Sequence, residues 1–168
     1  MKKFSFFAVL LFLVMVVSAC GSDSESASVS EDGVLTLGET GLFKTDKGEF
    51  EVTLDEIKYE AGGDGEKSLR GTYIVANATV TSRAAKAVNI EDVLPFKIYV
   101  DDVVNWNNVS VGKEYSFGTQ IAGEIKEGES VTGSVIFDAR ESETYTIILG
   151  GKTNPNKLVW ELTPADFK

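Results

Sequence analysis

Apolar residues at every second position, in short segments, are the feature that most limits the possible fold of this chain. Phe50, Val52 and Leu54 alternate with polar residues, and the same spacing returns along the rest of the sequence. Period two is typical of a strand that buries one face. No long segment keeps the 3.6-residue period of a helix, and residues 91–94 could supply one helical turn at most. The sequence therefore predicts an all-β domain.

Turn-forming residues cut residues 34–168 into roughly seven short strands. Without helices to cross between strands, this pattern predicts an antiparallel two-sheet sandwich of the immunoglobulin-like kind, with a closed β-barrel as the alternative. The alternation changes phase after Leu54, so we expect a β-bulge near Asp55 and Glu56. The predicted core consists of Val52, Leu54, Ile74, Ala76, Ala78, Val80, Phe96, Ile98, Val135, Phe137, Ile147, Leu149 and Trp160.

The first twenty residues have the three-part layout of an export signal. Met1-Lys2-Lys3 is a cationic start, residues 4–17 are almost entirely apolar, and two small residues, Ser18 and Ala19, follow. The apolar run is short and ends abruptly, which favours a secretory signal over a membrane span. We therefore expect residues 1–19 to be a cleaved signal peptide, and an uncleaved N-terminal anchor helix is the alternative.

The segment Val17-Ser18-Ala19-Cys20-Gly21 resembles the lipobox of bacterial lipoproteins. In that family the cysteine thiol receives a diacylglyceryl group and the cysteine becomes the first residue of the mature protein. The resemblance implies that Cys20 carries palmitate-type acyl chains and holds the protein on the extracytoplasmic face of a bacterial cell membrane. Two acyl chains anchor a protein stably, whereas one binds only marginally.

A flexible acidic linker is predicted for residues 20–33. Residues 21–33 are rich in serine, and Val29 is their only large apolar side chain. Such a segment cannot bury enough surface to offset the entropy lost on ordering. Thirteen residues of this kind average roughly 20 Å from end to end. The domain formed by residues 34–168 should therefore stand a short way off the membrane.

The residue inventory restricts the chemistry. Cys20 is the only cysteine, and the chain has no histidine. A Ser-His-Asp triad, a Cys-His dyad and a thiolate or imidazole metal site are therefore excluded. The number of acidic residues does not exclude a glycosidase-type pair of carboxylates. We expect no enzyme activity, catalytic residue, metal or cofactor.

The charge is strongly acidic. The chain has 16 basic and 26 acidic residues, a net charge of −10. Loss of Lys2 and Lys3 with the signal peptide leaves 14 basic residues and a net charge of −12. No cluster of basic residues interrupts this trend along the sequence, so nucleic acid is not expected as a partner.

One polar segment, residues 101–108, is a candidate ligand site. It combines the carboxylate and amide oxygens that Ca²⁺ uses with an aromatic ring that could stack on a sugar, although it lacks the EF-hand spacing. The alternative is a long polar connection whose Trp106 closes the edge of the sandwich. Tyr99, Tyr115 and Phe117 could extend an aromatic patch beside it, and packing in the core or on a sheet face is the commoner arrangement for such residues. The candidate ligand-binding residues are Asp101, Asp102, Asn105, Trp106 and Asn107.

Three further motifs occur in an order that matches a known group of domains. Residues 37–40 (Leu-Gly-Glu-Thr) precede the first hairpin, residues 94–99 (Leu-Pro-Phe-Lys-Ile-Tyr) follow, and Gly128-Glu129 is spaced from Gly133 and Phe137. Over residues 35–162 the chain resembles the DUF4352 group of immunoglobulin-like domains in secreted and lipid-anchored bacterial proteins. It is also similar in outline to mycobacterial secreted immunogenic proteins. The resemblance implies an extracytoplasmic sandwich and carries no catalytic residues.

These observations lead to one functional hypothesis and two alternatives. The leading hypothesis is a non-enzymatic, membrane-anchored lipoprotein whose immunoglobulin-like module binds another envelope protein or a cell-wall polymer. The first alternative is a weak glycan- or Ca²⁺-dependent accessory domain of an envelope enzyme system. The second is a structural surface antigen.

Overall fold

The computed structural model describes residues 33–63, 65–105 and 115–168, and the predicted signal peptide, Cys20 and nearly all of the predicted linker lie outside these ranges. No helix within them is long and apolar enough to cross a membrane. The strands are β1 (Val34–Leu35), β2 (Thr40–Thr45), β3 (Gly48–Glu60), β4 (Thr72–Ser82), β5 (Val88–Asn89), β6 (Phe96–Val100), β7 (Val103–Asn105), β8 (Glu124–Ile125), β9 (Ser130–Ala139), β10 (Tyr145–Leu149) and β11 (Leu158–Leu162). One helical turn, α1 (Ile90–Val93), and a 3₁₀ turn (Pro164–Asp166) complete the elements.

Two main sheets form the layers of the domain. The five-stranded sheet has the order β1-β11-β10-β6-β7, and the four-stranded sheet has the order β2-β3-β4-β9. Strands β5 and β8 form a small separate ribbon. Every strand pair is antiparallel except the pairing of β1 with β11. The predicted two-sheet sandwich is confirmed, and the alternative of a closed barrel is wrong because the sheets remain separate.

The predicted bulge lies in β3. Pairing with β4 passes directly from Leu54 to Glu56, so Asp55 is the extra residue. The bulge returns the apolar positions to the inner face, where Leu54 and Ile57 on either side of it are both fully buried. A one-residue insertion is the local way to correct a phase change, because each successive side chain in a strand points to the opposite face.

The core fills the space between the two sheets. All thirteen residues predicted for it are buried and belong to one apolar cluster. The cluster also includes residues outside regular alternation, such as Leu35 of the short strand β1 and Leu94 just after α1. Burial on the inner faces of both sheets explains why period two identified these thirteen core residues correctly.

Trp160 is fully buried in this core, and its indole Nε1 has no hydrogen-bond acceptor within the described part of the chain. A buried donor without an acceptor costs about 1–3 kcal/mol. Replacing Trp160 with Phe removes that donor and keeps an aromatic ring. We therefore expect Trp160→Phe to change the free energy of unfolding by less than about 1.5 kcal/mol, measured by urea denaturation.

Trp160→Tyr is the matched control, because it places a hydroxyl in the same apolar surroundings. We expect it to be less stable than Trp160→Phe. A tyrosine variant as stable as the phenylalanine variant would show that the site accepts a donor after all.

The two ends of the sandwich differ in what they carry. Strand β1 runs parallel to β11 with Val34 opposite Val159, so the chain enters the five-stranded sheet at the end that holds the β10–β11 loop. Val100 of β6 pairs with Tyr145 at the opposite end. We call the first the entry end. The other, which carries the β6–β7 turn and the β9–β10 connection, is the distal end.

Candidate functional site

Asp101 and Asp102 form a two-residue turn at the distal end, between β6 and β7. Their φ angles of 48° and 62° lie in the left-handed region, which suits the tight turn of a β-hairpin. The alternative of a long polar connection over residues 101–108 is therefore wrong for residues 101–105. Asp101 and Asp102 form a tight turn, and residues 103–105 continue as a strand paired with β6. Trp106, Asn107 and the side chain of Asn105 lie outside the described residues. Ligand binding by this segment, including the glycan- or Ca²⁺-dependent alternative, stays a prediction.

The carboxylate of Asp101 is already bound within the protein. The Ser142 hydroxyl donates to Oδ1, and Arg140 Nη2 donates to Oδ2 at 2.7 Å. The Ser142 hydrogen bond, followed by the Arg140 guanidinium, holds the pKa of Asp101 below its ordinary value. A cation that binds the Asp101 carboxylate would have to compete with the Arg140 guanidinium, which already donates to Oδ2. No group of three or more acidic side chains within the described ranges could hold a metal ion.

An open pocket of about 680 Å³ lies beside this turn. Acidic and basic groups face each other around it, so its rim is polar. Its lining residues are Tyr59, Asp101, Arg140, Glu141, Ser142, Glu143 and Pro164.

Hydrogen-bonded aromatic residues lie beneath the pocket. The Tyr145 hydroxyl accepts a hydrogen bond from the Ser142 backbone N–H at 2.5 Å and lies 3.3 Å from the Arg140 carbonyl oxygen. The Tyr59 hydroxyl donates to Tyr145 at 3.0 Å, and the Tyr59 ring stacks on Phe167. Burial and the Tyr145 hydrogen bond raise the pKa of Tyr59, so its phenol stays protonated at neutral pH. This arrangement resembles the tyrosine corner of immunoglobulin-like sandwiches and fixes the β9–β10 connection.

A buried carboxylate fixes a second loop at the distal end. Asp138 on β9 accepts hydrogen bonds from the Ser68 hydroxyl at 2.6 Å, the Leu69 N–H at 3.0 Å and the Arg70 N–H at 3.1 Å. The Ser68 hydroxyl in turn accepts from the Gly71 N–H at 2.8 Å. The Leu69 side chain nevertheless points into solvent, with 92 % of its surface exposed. The loop therefore presents an apolar side chain on a tightly hydrogen-bonded backbone.

The arginine cleft, which we define by Arg70, Val100, Val103 and Arg140, is an open pocket of about 320 Å³. Val103 is 61 % exposed, and the exposed Leu69 directly precedes Arg70. Arginine is enriched at protein interfaces, and a guanidinium pairs well with carboxylates and phosphates. Two guanidinium groups lie beside two exposed apolar side chains, and that of Arg140 is already paired with Asp101 at 2.7 Å. This surface suits an anionic partner that also carries an apolar group and competes with Asp101 for Arg140.

The expected aromatic patch does not form as one surface. Tyr115 and Phe117 pack on Tyr73 at centroid distances of 5.6 Å and 5.0 Å, on the outer face of the four-stranded sheet. Tyr99 lies on the outer face of the five-stranded sheet instead. A patch that joins Tyr99 to the other two is therefore wrong, because the sandwich separates the two outer faces. The alternative, packing on a sheet face, is confirmed for Tyr99 and Tyr115, which are both buried.

Sequence reasoning missed Asp138, Leu69, Arg70 and Arg140. A weak signal existed for Asp138, which directly follows the apolar run Val-Ile-Phe at residues 135–137 and continues its strand. No local pattern marked Leu69 or either arginine, because their proximity depends on the pairing of β4 with β9 and on the packing of the two sheets.

Comparison with known proteins shows the fold. No protein-family model and no curated protein sequence matches the chain. The secreted protein MPT63 of Mycobacterium tuberculosis has a similar structure, with a TM-score of 0.59 and 19 % sequence identity over 77 % of this chain and 97 % of that chain. A proposed lipoprotein (ycdA) of Bacillus subtilis is similar with a TM-score of 0.55 and 17 % identity, over 74 % of this chain but only 39 % of that chain.

Proposed function

We propose that this protein is a lipid-anchored, non-enzymatic binding module on the extracytoplasmic face of a bacterial cell membrane. The lipobox at Cys20 supplies the anchor, and residues 21–33 supply the linker. One observation carries the binding role: the arginine cleft and the exposed Leu69 lie at the distal end, opposite the end where the chain enters the sandwich. An anchored domain would thus hold this surface away from the lipid.

The dimensions of the domain support this arrangement. Strand β9 has ten residues and runs the length of the four-stranded sheet, which corresponds to about 33 Å. Adding the roughly 20 Å of the linker puts the distal end several nanometres from the anchor. A surface at that distance can reach a second envelope protein or a cell-wall polymer without competition from lipid headgroups.

The chemistry of the distal end defines the partner. Arg70 and Arg140 favour carboxylate or phosphate groups, and Leu69 and Val103 favour an apolar group next to them. The Asp138 hydrogen bonds hold the Leu69 backbone before any partner arrives, which lowers the entropy cost of binding. An acidic segment of an envelope protein with an adjacent apolar side chain fits both requirements.

Site-specific photocrosslinking in intact cells tests the binding role. A photoreactive amino acid at position Leu69 of the full chain is expected to give a discrete crosslinked product. The same amino acid at Glu127, exposed in the turn before β9 at the entry end, should not give it. Changing Arg70 and Arg140 to glutamine should abolish the product. Equal products from both positions, or a product that survives the arginine changes, would contradict the proposal.

A further inference from the structure

We infer that the outer face of the five-stranded sheet is a second interaction surface, which docks on an anionic lipid bilayer. This inference rests on the proposed lipid anchor and adds a second orientation of the domain. In the docked orientation the five-stranded sheet lies along the bilayer and the distal end points sideways; in the undocked orientation the linker lets the distal end point away from the lipid. The docking face is defined here by Lys97, Lys152, Lys157, Tyr99 and Val34. Three observations carry it: a group of lysines without ion pairs, an apolar surface between them, and the place where the chain enters.

The lysines form a local basic group on an acidic protein. None of Lys97, Lys152 and Lys157 forms an ion pair with a described acidic residue, and the same holds for Lys67, Lys86 and Lys126 elsewhere on the surface. Ion pairs are formed by Lys44, Lys47, Lys58, Arg83, Arg140 and Lys168. The Lys157 Nζ donates to the Lys152 carbonyl at 3.1 Å, and the Lys152 Nζ lies 4.2 Å from the centre of the Tyr99 ring. The Lys97 Nζ lies 4.0 Å from the position that a Cβ on Gly151 would take, next to Lys152. The three lysines therefore share one part of the surface, and none of them has a described carboxylate partner.

An apolar row crosses the sheet between these lysines. Strand register places Val34, Val159, Ile148 and Lys97 next to one another on β1, β11, β10 and β6. Val34 is 55 % exposed and Val159 is partly exposed, whereas Ile148 and Tyr99 are buried, with 4 % of their surface exposed. A shallow concavity of about 420 Å³ runs along this face. Lysines that flank an apolar surface suit a bilayer interface, because their alkyl stems cover apolar groups while their ammonium groups reach the phosphates.

The entry point of the chain brings this face to the membrane. Val34 belongs to the face itself, and the predicted linker ends one residue earlier, at Gly33. A thirteen-residue linker gives the domain an effective concentration in the millimolar range at the bilayer. Each lysine near an anionic leaflet strengthens association about fivefold. Weak attraction by three lysines is thus sufficient for a domain that cannot diffuse away.

The net charge of −12 on the mature chain does not prevent this docking. The two sheets pack about 10 Å apart, and the screening length at 0.1 M salt is also about 10 Å. Acidic groups on the outer face of the four-stranded sheet are therefore largely screened from the bilayer. Asp102 and Glu161 line the same concavity as the lysines, but Asp102 lies at the distal end. The lysines lie toward the entry end and would meet the lipid first.

The single cysteine makes a direct test possible. Lipidation would consume the Cys20 thiol, so one introduced cysteine can be labelled selectively in the full lipidated chain. Thr146→Cys places a fluorophore on the docking face, and Thr79→Cys places it on the outer face of the four-stranded sheet as a matched control. Quenching by acrylamide, which is uncharged, is then measured on vesicles of phosphatidylcholine with or without phosphatidylglycerol.

We expect the fluorophore at Thr146 to be quenched several-fold less than that at Thr79 on vesicles that contain phosphatidylglycerol. The difference should vanish on pure phosphatidylcholine, and also at 1 M salt, where the screening length falls to about 3 Å. Changing Lys97, Lys152 and Lys157 together to glutamine should also remove it. The same change at Lys67, Lys86 and Lys126 removes equal charge elsewhere on the surface and should have no effect.

The outcomes separate this inference from the proposed anchor. A protein that floats with the vesicles but shows equal quenching at both positions overturns the docking face and leaves the anchor intact. Protection that persists on pure phosphatidylcholine, or that appears at both positions, also overturns the docking face. A wild-type chain that does not float with vesicles overturns the proposed function itself.

Discussion

Replacing Cys20 with serine is expected to transfer the protein from the membrane fraction to the soluble fraction. A serine hydroxyl cannot form the thioether through which a lipobox cysteine carries its diacylglyceryl group. Each buried CH₂ of an acyl chain contributes about 0.8 kcal/mol to membrane binding, so loss of two chains removes nearly all of the affinity. Membrane partitioning and intact mass of both proteins, made in a bacterial host that processes lipoproteins, measure the effect.

The intact mass of the wild-type protein is more specific than its membrane partitioning, because it reports the cleavage and the acyl chains directly. It should correspond to cleavage before residue 20 plus acyl chains. Ser24→Ala, a change inside the linker, serves as the control and should keep both the acylated mass and the membrane association. An unmodified mass together with a soluble wild type would contradict the anchor and would place the function in the surrounding medium.

Asp138→Ala is the second change with a large expected effect. The carboxylate of Asp138 is buried and accepts three hydrogen bonds, from the Ser68 hydroxyl and from the Leu69 and Arg70 backbone N–H groups. Removing it leaves the Ser68 hydroxyl and the Leu69 N–H without this acceptor, whereas the Arg70 N–H keeps the Ser68 hydroxyl at 3.1 Å. Hydrogen bonds to a charged group are stronger than neutral ones. We expect the free energy of unfolding to fall by about 3 kcal/mol, measured by urea denaturation.

Asp55→Ala is the matched control on the same sheet. The Asp55 carboxylate accepts a hydrogen bond from the exposed Thr79 hydroxyl at 2.8 Å, and surface changes of this kind usually cost at most about 0.5 kcal/mol. Hydrogen exchange should also accelerate at the Leu69 and Arg70 amides in Asp138→Ala. Similar losses in the two variants, with unchanged exchange at the loop, would show that Asp138 does not hold it.

The sandwich and its core could be predicted from the sequence because the signal is local. A strand with one buried face repeats every two residues, so Val52, Ile74 and Trp160 could each be assigned from their immediate neighbours. The bulge at Asp55 was visible for the same reason, since a change of phase can be read within a few residues.

The candidate site could not be predicted because its contacts are distant in sequence. Asp138 and Ser68 are 70 residues apart, and only the pairing of β4 with β9 brings them together. Asp101 illustrates a second difficulty. Its residue type suggested an ion ligand, but its oxygens accept from Ser142 and Arg140, which belong to a different connection. Residue type indicates what a group can bind, and the fold determines which partner reaches it.

The short strand β1 also determines how the domain responds to mechanical force. Only Val34 and Leu35 join the linker side of the chain to β11, in a parallel pairing at the sheet edge. A partner that pulls on the distal end puts force on the two-residue pairing of β1 with β11 before it reaches any longer strand pairing. Its release would free residues 34–37 and lengthen the tether by roughly 13 Å. The Gly38 hydrogen bond to Leu54 and the long pairings of β3, β4 and β9 stay intact. The edge strand would then act as an extensible element that yields before the sandwich unfolds.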